Sequence, residues 1–150
     1  MKVACGFDHA GVPLRERLLA EITSTGHEVL DFGTDNTEPV DYPKKALEVG
    51  RAVVSGAADR GIIVCGSGAG VSVAACKIRG VRASTIHDTY TAHQSVEHDD
   101  VNVLCMGGRV IGVEVAVEIA RAFLAAELSG EERHVRRRAE VAEIERTGGE

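Results

Sequence analysis

Five short runs rich in apolar and β-branched residues alternate along this chain with segments of helical periodicity. The runs are Lys2–Phe7, Glu28–Phe32, Gly61–Cys65, Val81–Ile86 and Val101–Met106. Strands separated by helices cannot close as tight hairpins, so they pair in parallel through crossovers, which are right-handed in nearly all sheets. Ile62, Ile63 and Val64 include no polar member, which suits a central strand buried on both faces. The pattern predicts an α/β fold: an open five-stranded parallel sheet with helices on both faces.

The intervening segments carry the marks of helices. Pro13 stands where a missing N–H costs nothing, and Leu14, Leu18, Leu19 and Ile22 keep one face until Thr25-Gly26. Asp35 to Tyr42 is polar and reads as a loop, after which Pro43 opens a helix closing near Gly56. Further helices are expected over Val71–Lys77 and Thr89–Val96. Val110–Leu128 is predicted as one long helix, apolar almost all round, and such a helix needs a second surface; a partner subunit is the economical one. Glu131–Glu145 is charge-dense, with only Val135, Val141, Ala142 and Ile144 to pack, and is expected to dock on the body or a neighbour. Thr147–Glu150 is expected to fray. No repeat or linker divides residues 1–150, which read as one domain.

With a formal net charge of −6 and 3% aromatic residues, the chain offers neither a basic surface nor a stacking platform, which argues against nucleic acid. No apolar run resembles a signal peptide or is long enough to span a bilayer, so the expected location is the cytoplasm, with no membrane partner. The cysteines at 5, 65, 76 and 105 have no zinc-ribbon or CxxC spacing. Cys5 and Cys105 read as small hydrophobes within strands.

Cys65 differs because Gly66, Gly68 and Gly70 follow it at alternate positions. Strand, glycine-rich turn and helix aim backbone N–H groups at an anion, at the strand end where α/β sheets bind ligands. Three standard readings fail. A phosphatase loop needs Arg where Val71 stands, a nucleotide P-loop needs Gly-Lys-Ser/Thr, and the glycine spacing is not that of a dinucleotide fingerprint. An acid/base thiol remains. Holding a free thiol ionised at pH 7 costs roughly 2 kcal/mol, which backbone N–H groups at a helix start can supply. The same N–H groups could stabilise an oxyanion beside a carbon being deprotonated, which suits enediol chemistry. Two further polar clusters, Asp8-His9 and Asn102 near His98-Asp99-Asp100, are expected on the same crevice. A capping Asp and a surface His would equally explain any one of them. Arg133 and Arg137 share a helix face, while Arg136 and Arg138 point elsewhere and read as solvated. His134 alone marks no site.

Taken together, several of these segments resemble one family. They are Gly6-Phe7-Asp8-His9-Ala10-Gly11, Asp41-Tyr42-Pro43, Cys65-Gly66-Ser67-Gly68-Ala69-Gly70, His98-Asp99-Asp100-Val101-Asn102-Val103-Leu104, Gly107-Gly108-Arg109, and Arg133-His134 with Arg137. The family is the ribose-5-phosphate isomerase B group, which includes galactose-6-phosphate and allose-6-phosphate isomerases. The resemblance implies a Rossmann-like sheet working as a homodimer, with tetramers open, and with sites built from both subunits. It also implies aldose–ketose isomerisation of a sugar phosphate with no metal and no cofactor. His98, helped by Asp8, would open the sugar ring, and Cys65 would move the proton between C1 and C2. Ser67 and the N–H groups of the Gly66, Gly68 and Gly70 loop would steady the enediolate. His9, Arg109, Arg133 and Arg137 would hold the phosphate.

Three positions depart from the family pattern. Asp99 stands where Asn is usual, and an ionised carboxylate offers acceptors but no donors, which could change substrate preference. Ser67 replaces Thr, and Cys76 stands where Asn is common. Other four- to six-carbon sugar phosphates therefore stay open. Two readings from other classes are a non-catalytic sugar-phosphate sensor and a thiol redox sensor. Binding alone does not require a thiol at residue 65, and no resolving cysteine lies near it in sequence.

Overall fold

The computed structural model describes residues 1–149. Its five strands are β1 (Lys2–Phe7), β2 (Glu28–Asp31), β3 (Arg60–Cys65), β4 (Ala83–Thr85) and β5 (Val103–Gly107). All pair in parallel in the order β2-β1-β3-β5-β4, with Gly6 opposite Ile63 and Cys65 opposite Gly107. The helices are α1 (Val12–Ser24), α2 (Tyr42–Val54), α3 (Ala69–Ala75), α4 (Thr89–Asp99), α5 (Val113–Ala125) and α6 (Glu132–Thr147). The expected open α/β sheet with helices on both faces is present.

Strand pleating sorts the core into two layers. Alternate side chains of a strand point to opposite faces. Val3, Cys5, Phe7, Ile62, Val64, Leu104 and Met106 therefore pack under α1, α4 and α5. Ala4, Ile63, Cys65, Val103 and Cys105 pack under α2 and α3. Cys5 and Cys105 are fully buried, as expected of small hydrophobes; burial pushes the Cys5 thiol up to about 12 and raises Cys105 as well.

Two expectations need correction. The predicted helix Val110–Leu128 is the shorter α5. Its C-terminal carbonyls are held by Arg60, whose guanidinium donates to Phe123 O and Ala126 O and lies 5.4 Å from the Phe123 ring centroid. Most of its apolar girth is covered within the chain, by the sheet below and by α1 and α4 on its flanks, while Val115 stays exposed. The predicted strand Val81–Ile86 shrinks to β4, because Arg82 serves a neighbouring loop. Asn102 Oδ1 accepts from Arg82 N at 2.8 Å, Asn102 Nδ2 donates to Gly80 O at 2.9 Å, and Asn102 N donates to Arg82 O.

The C-terminal helix α6 docks on α4, as expected, but through a polar residue: His134 is its single buried side chain. Arg138 is not solvated; it donates to His98 O at 3.2 Å and to Ser129 O at 2.9 Å, which joins α6 to α4. Of the terminal segment expected to fray, Thr147 ends α6 and Gly148 caps it in the left-handed region at φ +74°; Glu150 lies outside the described residues. Among the described residues no helix is long and apolar enough to cross a membrane.

Candidate active site

The carboxyl edge of the sheet gathers three loops. The first follows β1, where Asp8 Oδ1 accepts from Ala10 N at 2.8 Å and Gly11 N at 3.0 Å. This Asx turn buries Asp8 and leaves Oδ2 without a protein partner among the described residues. His9 stands next in the loop, and Val40 N donates to its Nδ1 at 3.3 Å. A neutral ring accepting at Nδ1 carries its proton on Nε2.

The second loop follows β3. Cys65 is buried at the strand's end, and its Sγ accepts from Gly68 N at 3.1 Å. Gly68 has φ +82°, a conformation that favours glycine, and a Cβ there would stand 2.9 Å from Thr85 Cγ2. Ser67 Oγ accepts from Ala69 N at 3.3 Å, so its hydroxyl hydrogen remains available. The amides of Gly66, Ser67 and Gly70 carry no hydrogen bond among the described residues.

The third loop follows β5. Gly108 N donates to Cys65 O at 2.7 Å and Arg109 N to Gly66 O at 3.1 Å, which ties this loop to the glycine loop and brings Arg109 over it. A Cβ at Gly66 would lie 3.7 Å from Arg109 Nη1, so the absent side chain leaves room beside a cation. The resulting cleft of about 410 Å³ is lined by Asp8, Tyr42, Cys65, Gly66, Ser67, Gly70, Arg109 and Val110. It holds a thiol, a carboxylate, a hydroxyl, free amides and a guanidinium: groups to move a proton, carry an oxyanion and attract a phosphate.

Tyr42 and His87 escaped sequence reasoning. Tyr42 opens α2 and packs its ring against Gly70; the Asp41-Tyr42-Pro43 segment was the available signal. His87 Nε2 accepts from Gly107 N at 2.9 Å and so holds the end of β5, with no sequence signal to mark it.

The other expected site residues lie elsewhere in this chain. His98 and Asp99 are the last residues of α4, whose first turn is at the carboxyl edge; 11 residues at about 1.5 Å each carry them roughly 16 Å towards the amino edge. Asn102 precedes β5 at that edge, where its carbonyl accepts from Gly61 N. The expectation of one crevice for all three clusters is therefore corrected: Asp8 and Cys65 share a rim, and His98, Asp99 and Asn102 sit at the opposite end. Asn102 has a structural task there, bridging Gly80 and Arg82.

Beside His98 are the α6 residues. Asp99, Arg137 and Arg138 line a second cleft, of about 310 Å³. Arg133 is exposed and paired with Glu131 at 2.8 Å. His134, which its sequence position did not single out, stacks on His98 with ring centroids 3.9 Å apart. Burial first, then the neighbouring His98, lowers its pKa below the ordinary histidine value.

Ribose-5-phosphate isomerase B of Escherichia coli is 42% identical over 144 residues, 96% of each chain. D-erythrulose-4-phosphate isomerase 2 of Mycolicibacterium smegmatis is 36% identical over 130 residues, covering 85% of this chain and 86% of that protein. The solved structure of ribose-5-phosphate isomerase B from Clostridium thermocellum superposes with a TM-score of 0.94 at 43% identity and covers 99% of both chains. Fold and relatives together define an aldose–ketose isomerase, an intramolecular oxidoreductase. The chain belongs to the ribose/galactose isomerase family, whose sequence profile matches residues 3–141.

Proposed function

We propose that this chain interconverts ribose 5-phosphate and ribulose 5-phosphate without a cofactor, through a cis-enediolate. The observation that carries the reading is Cys65 at the floor of a glycine-lined cleft, with Asp8, Ser67 and Arg109 on its walls. Cys65, as thiolate, takes the proton from C2 of the open-chain aldose. The C2–H electron pair becomes the C1–C2 double bond, and the C1 carbonyl electrons move onto oxygen. The Ser67 hydroxyl and the free amides of Gly66 and Gly70 donate to that oxyanion, while the Gly68 amide serves the sulfur. Returning the proton from sulfur to C1, as the O2 proton passes to O1, gives the ketose. Each positioned acid or base group of this kind is worth roughly 10²–10⁴-fold.

Ribose 5-phosphate closes into a furanose, so its ring must open first: the C1–O4 bond breaks, O4 gains a proton and O1 loses one. His98 with Asp8 is assigned to that step. Because His98 stands at the far edge of its own chain, the assignment requires a second copy. The working unit is then a homodimer in which His98, Asp99, Arg133 and Arg137 of one subunit complete the Cys65 cleft of the other. His9 and Arg109 meet those arginines around the phosphate. One domain per chain, residues 1–150, provides both half-sites.

Tetrose 4-phosphates and the 6-phosphates of hexoses such as allose or galactose are the alternative substrates, since relatives act on sugar phosphates of different length. The test is a panel of these aldose phosphates incubated with the protein in deuterated water. Ketose carrying deuterium at C1, formed fastest from ribose 5-phosphate, is the expected result. A faster tetrose or hexose phosphate would reassign the substrate, and ligand-dependent stabilisation without turnover of any member would make the protein a sensor.

A further inference from the structure

His98 is held from three directions. Its ring stacks on His134, with centroids 3.9 Å apart and planes 26° from parallel. Gln94, one turn earlier on α4, brings its side-chain Nε2 to 2.7 Å from His98 Nδ1. Arg138 donates to the His98 carbonyl and, through its other terminal nitrogen, to Ser129 O. Ser129 in turn meets His134, with Oγ 2.9 Å from His134 Nδ1, and its own N donates to Glu97 O. The carbonyl, one ring face and one ring nitrogen of His98 are all engaged, and among the described residues Nε2 is the polar atom left over.

We propose that Gln94 and His134 are positioning residues that hold His98 with Nε2 as its working nitrogen for ring opening. The proposal rests on the ring-opening assignment made above. An amide NH₂ only donates, so Nδ1 of His98 accepts and the neutral ring carries its proton on Nε2. That nitrogen then donates a hydrogen bond to O4 as the C1–O4 bond breaks, while Asp8 carries to O4 the proton that O1 loses. His134 supplies the flat surface that fixes the ring's plane. It is 3% exposed, and its lowered pKa keeps the stack from becoming two adjacent cations. An apolar side chain would serve α6 docking without the desolvation cost of a buried imidazole, so packing alone does not account for His134.

The substrate pair itself provides the readout. Ribose 5-phosphate forms a furanose, whereas ribulose 5-phosphate has its C5 oxygen esterified and cannot close a five-membered ring. Forward turnover therefore needs ring opening, and reverse turnover begins from an open chain. Initial kcat is measured in both directions for wild type, His98→Ala, His134→Ala, His134→Phe and Gln94→Leu. In His134→Ala and Gln94→Leu the forward-to-reverse ratio of kcat should fall roughly 10²-fold, the scale of a 1 Å misplacement. His134→Phe, which keeps a stacking ring, should recover most of that ratio.

Equal losses in both directions in His134→Ala and Gln94→Leu, with the ratio falling in His98→Ala, would overturn the positioning role alone. A ratio unchanged in His98→Ala would instead overturn the ring-opening reading beneath it. Should His134→Ala fail to fold, Gln94→Leu on the half-buried flank of α4 decides the matter by the same ratio.

Discussion

The amide of Gly68 donates to Cys65 Sγ across 3.1 Å, from a backbone turned to φ +82°. The turn that only glycine adopts without strain is thus the one that points an N–H at the thiol. This contact fixes the sulfur's place at the end of β3, and it leads to the first prediction. Cys65→Ala should lower kcat by roughly 10²–10⁴-fold. Sugar phosphate at 100 times its Kd should still stabilise that variant by about 2.7 kcal/mol in urea unfolding, since the phosphate contacts remain. An unchanged kcat would remove Cys65 from the proton transfer.

Three of the four thiols should react in a set order. Cys76 is exposed, whereas Cys5 and Cys105 are fully buried and their pKa values are raised by that burial, Cys5 to about 12. Iodoacetamide needs thiolate and access. Native protein at pH 8, digested and read by mass spectrometry, should carry label at Cys76 early, and at Cys5 and Cys105 only after denaturation. Early label at Cys5 would contradict its place in the core.

Acid should find Glu21. This buried carboxylate joins α1 to α5 through hydrogen bonds from Arg121 and Arg17, which hold its pKa down to about 2 from an ordinary 4.5. A depressed folded-state pKa means the unfolded chain takes up the proton first. The contribution is therefore whole above about pH 4.5 and disappears as pH falls through about 2. Urea midpoints of wild type and Glu21→Gln should differ at pH 7 and converge near pH 2. A constant difference would mean the pair contributes by packing rather than charge.

A shared site can be reconstituted from two broken ones. Cys65→Ala and His98→Ala proteins, each slowed on ribose 5-phosphate, should regain activity when unfolded together and refolded. In a twofold dimer with random pairing, half the molecules are mixed and each mixed dimer has one complete site, giving about a quarter of wild-type activity. No recovery, with mixed dimers confirmed by native mass spectrometry, would place both groups in one subunit's cleft.

Asp99 lines the same cleft as Arg137. Its carboxylate offsets part of the positive charge assigned to the substrate phosphate. Asp99→Asn should therefore lower KM for ribose 5-phosphate roughly 2–5-fold, the scale of an exposed charge pair, with kcat little changed. Identical kcat/KM values across the sugar-phosphate panel would take Asp99 out of substrate recognition.

What the sequence by itself determined is what depends on near neighbours. Alternating runs predicted the parallel sheet, because strand and helix periods are written within a few residues of each other. Cys65 with its glycines was legible for the same reason: thiol, turn and amide donors are contiguous, and Gly68 reaches the sulfur from three residues away. Tertiary structure decided what depends on neighbours distant in sequence. The girth of α5 is apolar almost all round, and only packing shows that α1 and α4 cover most of it while Val115 stays exposed. Arg138 looked solvated and instead fastens α6 to the carbonyl of His98. The polar clusters after the strands group His98 with the Cys65 rim, and the direction of α4 sends it to the other edge. Periodicity tells which face of a helix is apolar. Only the packed chain decides what lies against that face, and at which end of the sheet the helix's last residue comes to rest.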